Sequence, residues 1–258
     1  MVTFRIINRD NIKDIILPIF DNYSLLTSKK FNYLKFKELL LISYNPIGEE
    51  ISFNDIIKIP KRYFARKKWS DGIPPFGNCN INQEEKINLI NEIKNKILPN
   101  NYYSDIWNKI NINDEEYLIN HFKDIEIIMS RSWLTGFIET KGSFYYTNKD
   151  SLRTIHGFGI TQKLDKIVLI SIKYILNITS NVKWNNKSFY SLDTTNNKDI
   201  KYIINYFITD DHTSLFKGIK SYEFNIWKRT YYKHKGNYKL LKKISNKVNF
   251  IKNKYKIN

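Results

Sequence analysis

"SRSWLTGFIETKGSFYY", Ser130 to Tyr146, opens like a helix and closes like a strand, with Gly136 and Gly142 as punctuation. Ser132 is the expected N-cap, since a serine hydroxyl can accept from a first-turn amide that lacks an intrahelical partner. Gly142 is the expected stop. The stretch holds one acid, Glu139, and then a lysine, Lys141. Whether it is an active site, or one that has lost its chemistry, decides how the whole chain is understood.

Downstream, the pattern is regular. "SFYYTNK" and "RTIHGFGITQK" alternate as two strands joined by the turn "DSL". "LDKIVLISIKYIL" is a helix with Leu164, Ile167, Val168, Ile172 and Ile175 inward. "NVKWNN" and "SFYSLDTT" form a second hairpin around Asn186 and Lys187. "KDIKYIINYFI" and "SLFKGIKSYEFNIWKRTYY" are helices. The order αββαββα predicts an α+β architecture, one antiparallel sheet backed by helices on one face.

Upstream, Val2 to Ile7 reads as a strand, and "RDNIKDIILPIFDNY" as a helix with a cap-like Asp10 and Pro18 near a kink or end. "NYLKFKELLLISY" is a second helix with Tyr33, Phe36, Leu39 and Leu40 on one face. Between them and Ser130 the pattern loosens. "IPKRYFARKKWSDGIPPFGNCN" interleaves basic residues with aromatics. That suits either a segment gripping a nucleic-acid backbone or a linker pinned to the body by its rings. "NQEEKINLINEIKNKI" and "INDEEYLINHFKDIEIIMS" are further helices. The two ends of the chain echo each other, Lys29 with Lys220, Tyr33 with Phe224, and Phe36 with Trp227.

The 258 residues include 42 Lys and Arg against 25 acids, a net charge of +17. The excess is uneven: from Lys217 to Asn258 there are thirteen Lys and Arg and one acid, Glu223. Such a balance points to a polyanionic partner, nucleic acid first. No apolar run approaches the roughly 18 to 20 residues of a spanning helix, so no membrane partner is expected. Cys79 is alone and the four histidines are scattered, which gives no zinc-ligand spacing and predicts no metal site. There are 32 Asn and a single Ala, Ala65. AT-rich codons explain that bias, and an organelle genome is one common source. The amino terminus has neither an apolar signal core nor a long basic amphipathic stretch, as expected of a protein made inside an organelle.

These segments resemble a known family. "WLTGFIETKGSFYY", "RTIHGFGITQKLDKIVLISIKYIL", "FYSLDTTNNKDIKYIINYF" and "FKGIKSYEFNIWKRTYYKHKGNY" look like the second repeat of a LAGLIDADG homing endonuclease, of the kind carried by mitochondrial group I introns. "ILPIFDNYSLLTSKKFNYLKF" resembles the tail of the first repeat. The resemblance implies one complete αββαββα repeat plus a partial one: residues 1–44 a remnant of the first repeat, 45–131 a linker, 132–232 the second repeat, and 233–258 a basic helical tail. It also implies a saddle of strands over a duplex, with each signature helix delivering one acid to Mg²⁺ at the scissile phosphates.

In the family that acid is the eighth residue of the signature, which here is Lys141, while Glu139 stands at the sixth. A protonated lysine offers a hard cation no lone pair. The first signature is not among these residues. Gln162 matches a glutamine near the attacking water, and Lys220 a basic residue near the scissile phosphate, so Gln162, Lys220 and Lys141 are remnants of a degenerate catalytic site. Thr147, Lys149, Arg153, Lys163, Lys183, Asn185 and Lys187 are expected on the nucleic-acid face, with Lys239, Lys242 and Lys243 gripping from the tail.

Two readings follow. The first is an endonuclease-derived protein that no longer cuts and needs no cofactor. It binds structured RNA in preference to DNA, as an intron maturase or a component of the mitochondrial ribosome. A protein partner or larger assembly would cover its exposed signature helix. The second is a working Mg²⁺-dependent DNA endonuclease, acting as a dimer or with a separately encoded half.

Overall fold

The computed structural model describes residues 5–44, 83–100, 102–109, 122–185 and 188–255. The chain divides into two compact units, Met1–Tyr102 and Tyr103–Asn258. That boundary falls inside the stretch expected to be a linker, whose basic and aromatic run lies outside the described residues.

In the first unit, Asn8 rather than Asp10 caps the opening helix α1 (Arg9–Asn11), accepting from the Asn11 amide at 3.0 Å. A π-helical turn over Ile12–Ile16 leads into α2 (Leu17–Asn22), which has Pro18 in its first turn. Proline lacks an N–H and crowds the carbonyl four residues back, and the widened turn takes up that misfit. Residues 5–8 are not in a strand. The expected strand therefore fails over Arg5 to Ile7, where no neighbouring strand of the described residues offers a ladder, and its remainder lies outside them. Helix α3 (Lys29–Tyr44) begins three residues before its expected start, after the Thr27 hydroxyl accepts from the Lys29 amide at 3.3 Å. Its expected apolar stripe is only partly buried, with Leu40 covered but Phe36 45% exposed. The buried Lys37 ties α3 to α2 through Asp21 at 2.8 Å. Helix α4 (Gln83–Asn95) leans on α3, where Lys35 donates to the carbonyls of Lys94 and Lys96 at 2.8 and 2.7 Å.

The second unit holds the sheet. After a 3₁₀ turn (Asp105–Lys109) and a short helix α5 (Phe122–Ile128) comes α6 (Arg131–Lys141). Its N-cap is Ser130, accepting from the Trp133 amide at 3.2 Å, and Ser132 stands exposed in the first turn. Arg131 fixes that start, donating to the carbonyls of Tyr206 and Ile208 at 2.6 and 2.8 Å. Then follow β1 (Gly142–Asn148), β2 (Thr154–Gln162), α7 (Lys166–Ile175), β3 (Lys183–Asn185), β4 (Phe189–Thr194), α8 (Asn197–Tyr206), α9 (Ile219–His234) and α10 (Tyr238–Tyr255). The sheet is antiparallel in the order β1-β2-β4-β3, so the two hairpins meet along β2 and β4.

Its inner face is packed with rings. Phe144 sits 5.0 to 5.6 Å, centroid to centroid, from Phe158, Phe216, Phe224 and Trp227. Each such ring, fully buried, contributes about 2–3 kcal/mol through area removed from water. Ile167, Val168, Ile172 and Ile175 are buried as expected, but Leu164 is 41% exposed. Asp165, with a φ of 61°, turns the chain before α7 begins, which leaves Leu164 in the preceding turn. The buried carboxylate of Asp199 joins α8 to β4 and to the segment after α7. It accepts from the Thr179 amide (2.9 Å), the Thr179 hydroxyl (3.0 Å) and the Thr194 hydroxyl (2.8 Å).

Candidate nucleic-acid interface

Strand alternation sends Phe144, Tyr146, His156, Phe158, Ile160 and Leu192 toward the helices, and their neighbours to the opposite, outer face. By register, that outer face is built from Ser143, Tyr145 and Thr147 of β1 and Ile155, Gly157, Gly159 and Thr161 of β2. Ser191 and Asp193 of β4 and Lys183 and Asn185 of β3 complete it. Three expected contact residues, Thr147, Lys183 and Asn185, therefore share one surface.

Tyr145 dominates its centre. The ring lies on Gly157, where an added Cβ would collide with it, and an added Cβ at Gly159 would collide with the Asp193 carboxylate. Two glycines thus make a trough across β2, and the Tyr145 ring and the Asp193 carboxylate come together in it, both lying over Gly159. Burial, with the neighbouring Asp193 charge, pushes the Tyr145 phenol up to about 12. Burial also raises the Asp193 carboxyl, against hydrogen bonds from Ser191 and Tyr145 and the charge of Lys183. From the other side, Asn185 Nδ2 donates to Ser191 Oγ. From below, the Trp227 indole holds the Tyr145 carbonyl at 3.2 Å.

The other expected residues lie apart. Lys149 and Arg153 close the β1–β2 hairpin, where the Lys149 amide donates to the Arg153 carbonyl at 2.8 Å. Arg153 is already ion-paired with Asp150, and that hydrogen bond holds the Asp150 carboxyl below its ordinary value. Lys163 is exposed just past β2, and Lys187 lies outside the described residues. Lys239, Lys242 and Lys243 are on α10. Lys242 joins Thr147, Asn148, Ser245, Asn246 and Asn249 around a polar niche of about 300 Å³.

At the end of α6, Gly142 pairs with Ile160, so Lys141 stands just off the ladder at the same end of the sheet as Gln162. Lys141 is exposed. Gln162 Nε2 donates to Asp165 at 3.0 Å. Glu139 is committed elsewhere, its Oε1 accepting from the Lys217 amide at 3.2 Å and from the Gly218 amide. Lys220 does not stand ready for a phosphate as expected. It is 8% exposed, and Nζ lies 2.8 Å from Glu223, a helical turn further along. Among the described residues no three His, Cys, Asp or Glu side chains cluster as metal ligands, and none of the helices is long and apolar enough to cross a membrane. The donor set at this end, an ammonium beside an occupied carboxylate, does not fit Mg²⁺.

Asp193 and Tyr145 escaped the sequence reading. Neither is among the expected contact residues, and nothing local pairs Asp193 with Tyr145. The pair "GFG" at Gly157 and Gly159, two outward glycines in one strand, was the available signal.

A capped helix feeding a four-stranded αββαββα sheet with an open polar face defines a protein of the homing-endonuclease fold class. Residues 1–40 and 134–231, more than half of the chain, match the family described as LAGLIDADG endonuclease, and the chain belongs to that family. It is 30% identical over 260 residues to a probable intron-encoded endonuclease, Cox1-I1b, of Schizosaccharomyces pombe, covering 98% of this chain and 53% of that protein. It is 29% identical over 143 residues to a probable intron-encoded endonuclease, aI3, of Dictyostelium citrinum, covering 55% of this chain and 54% of that one. The chain thus spans about half the length of these curated relatives. Among solved structures, I-SmaMI bound to an uncleaved DNA target with calcium ions superposes with a TM-score of 0.55 at 22% identity. That match covers 91% of this chain and 69% of the other. The I-SmaMI LAGLIDADG homing endonuclease bound to cleaved DNA gives a TM-score of 0.51 at 22% identity, covering 87% and 64%. These likenesses establish the fold.

Proposed function

We propose that this chain binds duplex nucleic acid across the outer face of its sheet and does not itself cut it. The observation that carries this reading is Lys141. It occupies the end of the signature helix where the family places a metal-binding acid, while Glu139, the one nearby carboxylate of that helix, is spent on two backbone amides. An ammonium there can hold a phosphate but cannot activate water through a metal. The net charge of +17 supplies the long-range attraction.

DNA takes precedence as the ligand, because solved relatives of this fold are bound to DNA. Structured RNA, in an intron maturase or a mitochondrial ribosomal particle, is the second reading. It is favoured by the replacement at Lys141, which removes the need to cut while keeping the grip. The intron-encoded relatives favour a mitochondrial setting. Trp133 and Phe137 stack at 4.8 Å on α6, and an added Cβ at Gly136 would meet nothing within 4 Å. That helix face suits a second protein surface, either a partner or the remainder of a larger assembly.

The test is incubation with the intronless form of its own locus as a DNA duplex, with Mg²⁺, beside the intron transcript as structured RNA. Retention of the duplex without breaks is the expected result. Specific double-strand breaks by this chain would overturn the reading, and binding only to the transcript would replace DNA with RNA. Cutting restored by Lys141→Glu would show that another chain provides the first acid.

A further inference from the structure

We infer that Asp193 is a base-reading residue on the outer face of the sheet, taking a hydrogen bond from the exocyclic amino group of one cytosine in the major groove, with Tyr145, Ser191 and Asn185 as its positioning residues. The inference rests on the reading of that face as a duplex-binding surface.

The direction of the hydrogen bonds across the face is set by the carboxylate. The Tyr145 ring and the Asp193 carboxylate lie side by side over Gly159, and an ionised carboxylate only accepts, so the neighbouring Tyr145 phenol and Ser191 hydroxyl can offer it hydrogens but take none from it. Ser191 Oγ is then free to accept from Asn185 Nδ2. The row Asn185, Ser191, Asp193, Tyr145 therefore runs over all four strands, from β3 across β4 and the glycine trough of β2 to β1. The side chains cannot settle lower, because Tyr145 already fills the space over Gly157. Asp193 is still open to solvent. Its remaining lone pairs are the part of this row that an incoming ligand meets.

An acid in that place does not suit phosphate. Its repulsion is tolerable only where the ligand presents donors. In a major groove those are the amino groups of cytosine and adenine, and a carboxylate pairs best with cytosine N4. Guanine O6 and N7, thymine O4 and the phosphate oxygens all meet it acceptor to acceptor. Lys183, close enough to lower the Asp193 carboxyl, stands beside it to grip a phosphate. A rigid acceptor beside a cation both reads and holds.

The test is binding-site selection from a randomised DNA duplex library at fixed moderate salt, using the full chain, Asp193→Asn and Tyr145→Phe. The wild type should select cytosine at one base pair, by about tenfold or more over the other bases. Asp193→Asn should lose that preference, or shift it toward adenine, and leave every other selected position unchanged. Tyr145→Phe should weaken the preference at the same base pair alone, which a general loss of packing would not do. Unaltered selection by Asp193→Asn would overturn the inference. So would wild-type binding without any base preference, which leaves the duplex-binding reading standing. Failure of the wild type to hold any duplex would overturn both together. Circular dichroism on the two variants separates misfolding from loss of readout, and Asp193→Glu, retaining the charge on a longer arm, should keep part of the cytosine preference.

Discussion

Thr230 has one hydrogen to donate and gives it to the Trp227 carbonyl at 2.9 Å. Its oxygen must therefore accept from both the Tyr146 hydroxyl, at 2.7 Å, and His156 Nε2, at 3.0 Å. His156 is thereby assigned the Nε2–H tautomer, and it lies between the rings of Tyr146, Trp227 and Tyr231. Burial pushes its pKa from 6.5 down to about 4, partly offset by the Trp227 backbone. In the unfolded chain the same imidazole takes a proton near 6.5, so between those limits the unfolded state binds more protons than the folded one. Stability should then fall as pH drops through that window, by about 3 kcal/mol in all at ~1.4 kcal/mol per pH unit. Urea midpoints measured between pH 7 and pH 4 should show this loss. His156→Gln should be less stable at pH 7 but flatter across the window, and an identical slope in the variant would assign the acid sensitivity to other groups.

At the scale of elements, α6 is held at both ends by contacts far away in sequence. Arg131 anchors its start to the segment after α8, and Glu139 anchors its end to the amides that precede α9. Glu139→Ala should leave two amides short of an acceptor and cost about 1–3 kcal/mol. Lys141→Ala, exposed a half-turn away, should change stability by no more than about 0.5 kcal/mol. Thermal denaturation of the two variants side by side checks the contrast, and equal effects would remove the anchoring role from Glu139. The sequence reading succeeded where local rules govern. The hairpins followed from alternation, and α7 from its apolar spacing. It failed where distant residues decide. Ser130 displaced Ser132 as cap because Arg131 reaches the Tyr206 and Ile208 carbonyls. Lys220 is a different case, because its partner Glu223 stands three residues on in the same helix, a local spacing that the sequence does contain. Asp193 acquired its place only through the pairing of Gly159 with β4, a register that no local pattern encodes.

Over the whole molecule, charge and packing are separable. Replacing Lys239, Lys242 and Lys243 with Gln should weaken duplex binding and reduce the slope of log affinity against log salt. The reduction should be about 0.9 for each phosphate that is no longer neutralised, at most about 3 in all. The core below should be untouched, so the melting temperature should hold. A slope that does not move would take α10 away from the interface. The alternation of β2 carries the same separation further. His156, Phe158 and Ile160 point inward and hold the fold, while Ile155 and Thr161 point to the outer face. A lineage under pressure to follow a drifting target can therefore rewrite the outward letters of its strands at little structural risk. The exception is the trough. With Tyr145 lying over Gly157 and Asp193 over Gly159, a side chain gained at either glycine collides with the residue above it and forces that residue to change as well. That quartet should pass through descent as a block, each member replaced only in company, while the positions around it vary one at a time.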